Sequence, residues 1–99
     1  MANYNYKPFE LGVVKMSKAM AIWTSPKNST FKHGEVMNRL QHHRAGVWGD
    51  VAADVALQND EATNTGNEIL SVYHLGEVEY WIKTAAGHLS TMVMFPTDL

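Results

Sequence analysis

Ninety-nine residues, 45% hydrophobic and 18% charged, suit one domain and are too few for two independent cores, so residues 1–99 are read as a single unit. The chain has no cysteine, which excludes a disulfide framework, thiolate zinc sites, Fe–S ligation and a Cys nucleophile. A formal charge of −2 conceals an asymmetry: residues 1–44 hold seven of eight basic side chains, whereas residues 45–99 hold Lys83 against eight acids. Such a chain either neutralises itself on folding or presents two opposed patches.

In chain order, Met1-Ala2-Asn3-Tyr4-Asn5-Tyr6-Lys7 is polar and aromatic and does not read as a signal peptide. These residues are a candidate flexible arm. No later run approaches the roughly 18 apolar residues of a membrane span, so the cytoplasm is the expected compartment. Residues 8–16 are β-rich and start with a proline, which predicts an edge strand. Ser17 is placed to cap a short helix through Trp23. Residues 24–30 read as a loop, and the sequon Asn28-Ser29-Thr30 within it is a chance match.

Residues 31–44 have helical spacing, with Val36, Met37 and Leu40 on one face and Glu35, Asn38, Arg39 and His42 elsewhere. Gly46 is expected to end that helix and Asp50 to cap a second, from Val51 to about Thr63, with Val51, Val55 and Ala56 inward and Gly66 beyond its end. Then the period changes. Ile69 to Leu75, Glu77 to Thr84 and His88 to Phe95 read as three strands joined at Gly76 and Ala85-Ala86-Gly87. In the middle strand Val78, Tyr80 and Ile82 alternate with Glu79, Trp81 and Lys83, the pattern of a sheet covered on one face. The expected fold is an α+β two-layer domain, two or three helices on a three- to four-stranded antiparallel sheet.

The chemistry-bearing residues are sparse. His42 and His43 are adjacent and diverge by about 100° on a helix, so they do not share one ion. His74 and His88 fall on neighbouring predicted strands and could meet, but no His-Glu-x-x-His spacing supports a metal. Ser90 lies near His88 without a Gly-x-Ser-x-Gly elbow, and no phosphate-cradling glycine loop is present. The expectation is therefore a protein that is no enzyme and needs no cofactor or metal. Lys32, Arg39 and His43 share one helix side, a modest phosphate-facing stripe that keeps nucleic-acid binding open.

The most unusual local feature is Gly46-Val47-Trp48-Gly49-Asp50, a tryptophan between glycines where two helices meet. Either Trp48 plugs the core at that reversal or it is an aromatic anchor for a partner. This turn, with His43 before it and Asn59, Gly66 and Ile69-Leu70-Ser71-Val72-Tyr73 after it, resembles a family of small uncharacterised proteins carried on plasmids, integrative elements and phages. Phe9 to Val14, Tyr80 to Thr84, Leu89 to Met92 and Phe95-Pro96 extend the resemblance over most of the chain. The family's turn usually reads Gly-Asp-Trp-Gly, so Val47 stands in the Asp place, and its charged strand end is replaced here by residues 84–90. What the resemblance implies is an accessory protein of mobile DNA.

The resulting expectation is a macromolecule-binding accessory protein, in its concrete form an inhibitor of a host defence system that occludes a partner protein. The candidate partner-binding residues are Arg39, His43 and Arg44 on the helix, Trp48 and Asp50 at the junction, and Trp81 on the sheet. The alternative is a small nucleic-acid-binding or regulatory domain using the basic 32–44 helix. The edge strand or an apolar sheet face would also support a homodimer.

Overall fold

The computed structural model describes residues 9–25, 27 and 30–98. The expected arm at 1–7, and Asn28 and Ser29 of the sequon, lie outside them. Strand β1 (Val13–Met16) leads into helix α1 (Lys18–Trp23), then α2 (Thr30–Arg44) and α3 (Ala53–Thr65). Strands β2 (Ile69–Leu75), β3 (Val78–Thr84) and β4 (Ser90–Met94) follow, and a 3-10 turn spans Pro96–Asp98. This is the expected α+β two-layer domain, with three helices on a four-stranded sheet in the order β1-β4-β3-β2.

The sheet departs from the expected all-antiparallel one at a single pairing. β2, β3 and β4 form the antiparallel meander, but β1 joins β4 in parallel. The chain between β1 and β4 holds every helix, and a crossover of that length is what a parallel pair requires. At the entry to β1, Gly12 adopts φ +67, and a Cβ there would lie 2.2 Å from the Leu89 backbone.

Ser17 caps α1 as expected, its Oγ accepting from the Met20 N–H at 3.1 Å. The same hydroxyl donates to Asp98 at 2.6 Å, tying the final turn to the first helix. Gly66 closes α3 in the left-handed conformation. Asp50 does not cap α3: the N-cap is Ala52, without a side-chain hydrogen bond, because Asp50 is drawn back to the sheet edge.

One sheet face is covered. Met20, Val36 and Leu40 pack on Tyr73, Tyr80, Ile82 and Val93, while Phe9, Trp48, Ala62 and Ile69 form a second cluster beside them. Val51 and Ala56 of the expected stripe pack against the second cluster, but the buried positions of α3 are Asn59, Asp60, Ala62 and Thr63, so its inward face is more polar than expected. The reason is its station at the sheet edge, where strand backbone rather than apolar side chains must be matched. Asn59 does this with one side chain, donating from Nδ2 to the Leu70 carbonyl at 2.7 Å and accepting from the Leu70 N–H at 3.1 Å. Asn59→Ala should cost about 2 kcal/mol, two hydrogen bonds at about 1 kcal/mol each. Chemical denaturation reads this loss, and an unchanged midpoint would contradict the edge-sealing role.

On the opposite face lie Leu70, Val72 and His74 of β2, Glu79, Trp81 and Lys83 of β3, Met92 and Met94 of β4, and Lys15 of β1. None of its apolar members belongs to either core cluster. The core side chains of α1, α2 and α3 belong to those clusters. None of the helices is long and apolar enough to cross a membrane.

Candidate functional site

The α2–α3 junction is held from below. Trp48 is 5% exposed, its ring against Phe9 and His43 and its indole N–H donating to Asp60 Oδ1 at 2.9 Å. Trp48 is therefore the core plug, and as a partner-facing anchor it is corrected by its burial. Residues 48–50 run parallel to β2 and close its edge: the Trp48 carbonyl accepts from Val72 N–H at 3.1 Å, and Asp50 N–H donates to the Val72 carbonyl at 2.7 Å. Gly49, at φ +74, sits so close that a Cβ would lie 2.1 Å from the Val72 oxygen. The Tyr73 hydroxyl donates to the Val47 carbonyl, and burial pushes its pKa up to about 12, so it remains a donor at neutral pH.

His43 is also corrected. It is fully buried and tied to two strands, Nδ1 to Ser71 Oγ at 2.5 Å and Nε2 to Thr84 Oγ1 at 2.9 Å. Thr84 and Thr91 share a 2.8 Å bond, and Thr91 donates to the Leu11 carbonyl at 2.7 Å. Each hydroxyl has one proton, so the directions follow in series. Thr91 spends its proton on Leu11, Thr84 donates to Thr91, His43 donates from Nε2, and Ser71 donates to Nδ1. This places a neutral imidazole in the core. Burial, reinforced by nearby His88, lowers its pKa to about 3.

The surface of the junction is what the buried parts hold in place. Arg44, Val47 and Asp50 are exposed on it. Arg44 lies 3.7 Å from Glu10, an exposed pair worth less than about 1 kcal/mol. The Asp50 carboxylate meets His74 Nδ1 at 2.7 Å, and His74 Nε2 lies 3.3 Å from Glu79. Glu79 in turn accepts from the Trp81 indole N–H at 2.8 Å. Two expected site residues, Asp50 and Trp81, are thus joined through His74 and Glu79. Trp81 lies on the outer sheet face, half-buried.

The basic stripe expected on α2 does not form. His43 is interior, and Arg39 bonds Glu35 at 2.9 Å and stacks over Tyr73. The Glu35 hydrogen bond raises the Arg39 pKa further. The Lys32 ammonium sits over the Trp23 ring. His74 and His88 do not meet, since His88 turns its Nε2 to the Asn67 carbonyl.

Sequence reading missed Val47, His74 and Glu79. For the last two the signal was present: the two-residue connection at Gly76-Glu77 places Leu75 opposite Val78, and hence His74 opposite Glu79. Compared with protein-family models, with curated proteins and with solved structures, the chain matches none.

Proposed function

We propose that this protein is a non-enzymatic, macromolecule-binding accessory protein of mobile DNA that inhibits a host defence system by occluding a partner protein. The observation that carries the reading is the α2–α3 junction, a loop bonded to the sheet at Trp48, Asp50 and Val47 that presents Arg44, Val47 and Asp50 to solvent. A loop fixed on a rigid scaffold loses little entropy on docking, which is what a contact-acting protein needs. The mobile-DNA part of the proposal rests on the resemblance. Several residues that carry it (Trp48, Gly49, Asn59, Ser71 and Tyr73) are those that build and anchor this junction.

The nucleic-acid alternative is less favoured, because Arg39, Lys32 and His43 are all engaged within the fold. The test is capture from host lysate followed by mass spectrometry, run beside a Val47→Asp/Asp50→Lys double variant. Both side chains are exposed, so the variant should melt within a few degrees of wild type while losing at least about tenfold of the captured partner. Background-only capture across several hosts, or equal capture by the variant, rejects the reading. Steeply salt-dependent DNA or RNA binding lost in Arg39→Ala/Arg44→Ala would install the alternative.

A further inference from the structure

We infer that the outer sheet face is a homodimer interface, closed by a two-fold axis that runs along the strands. The face carries Leu70, Val72, Trp81 and Met92, all half-buried, with Met94 beneath them. Four strands about 4.8 Å apart and four to seven residues long make a face of about 20 by 20 Å. At about 400 Å² per copy, apolar at its centre and charged at Lys15, Glu79 and Lys83, it has the size of a weak, transient interface. A face of this size gives an exchanging dimer rather than an obligate one.

The occupant follows from how the face is laid out. The β1 margin carries Lys15, and the β2 margin carries Glu68, which reaches inward to Lys83 at 3.4 Å. Two copies can stack face to face about either of two in-plane axes. An axis across the strands sets β1 on β1 and β2 on β2, bringing the two Lys15 margins together and the two Glu68 margins together. An axis along the strands sets β3 on β4 and β2 on β1. Trp81 then lies over β4 of the second copy within reach of Met92, a favourable sulfur–aromatic pairing, and Lys15 meets the margin that holds Glu68. The pattern of charge selects the second arrangement, with the sheets crossing at about 30° as stacked sheets do. Pairing through the open edge of β1 is disfavoured for the same reason, since it sets Lys15 beside its own copy.

Sedimentation equilibrium of the purified protein tests this without any foreign partner, so its outcome is independent of the lysate experiment. From about 1 µM to about 1 mM the protein should pass from monomer to dimer. Trp81→Glu should weaken the dimer at least about 100-fold while far-UV dichroism and melting stay near wild type, because the ring lies outside both core clusters. Lys15→Glu and Glu68→Lys should each weaken it several-fold, and the double variant Lys15→Glu/Glu68→Lys should recover it. A wild-type chain that stays monomeric leaves the face to a different occupant and overturns the proposal. So does a dimer indifferent to Trp81→Glu, and failure of the double variant to recover overturns the chosen axis.

Discussion

Trp48→Ala should remove about 4–5 kcal/mol of stability, about a third or more of what a domain of this size possesses. The ring is the largest apolar member of the second core cluster, and its loss opens a void between Phe9, Ala62 and Ile69. It also strips the buried Asp60 carboxylate of its indole donor. Trp48→Phe separates the two effects, since it keeps most of the apolar contact and deletes the hydrogen bond. That variant should lose about 2 kcal/mol, the usual worth of a hydrogen bond to a charged group. Urea denaturation at neutral pH reads both, and an unchanged midpoint for Trp48→Ala would mean the ring is not part of the core.

Acid should unfold the domain through His43. Its pKa is about 3 in the folded protein against an ordinary 6.5, so the unfolded chain binds the proton more readily between those values. Stability is therefore complete above about pH 6.5 and declines as pH falls toward 3, by about 1.4 kcal/mol per unit and roughly 4–5 kcal/mol in all. Asp98, held below its ordinary value by Ser17 and the Phe95 N–H, adds a loss of the same sign at the acid end. The physical cause at His43 is that the imidazolium would sit buried with Ser71 no longer able to donate to Nδ1. Denaturation between pH 7.5 and 4 should show this slope in the wild type and a shallower one in His43→Gln. Equal slopes would contradict a neutral buried imidazole.

These two residues show where sequence reading reaches its limit. Helix spacing places Val36, Leu40 and His43 within one arc, but spacing alone does not distinguish a buried imidazole from a solvated one, because histidine is intermediate in burial. Its burial depends on Ser71 and Thr84, 28 and 41 residues away, supplying matched hydroxyls. Asp50 is the converse case. An acid before a helix is a good cap by local rules, but Val72 and His74 offered it a stronger station at the sheet edge.

Local signals settled whatever is decided within a few residues. Ser17 three residues before the Met20 N–H and Gly66 past the end of a helix each determine a cap through short covalent reach. Alternation along β3 likewise determined which side chains share the covered face. Tertiary structure alone decided the parallel pairing of β1 with β4, the polar inward face of α3, and the meeting of Asp50 with His74. Those features satisfy backbone and side-chain groups across distances of 11 to more than 70 residues, and the energy that selects them exists only once both partners are in place.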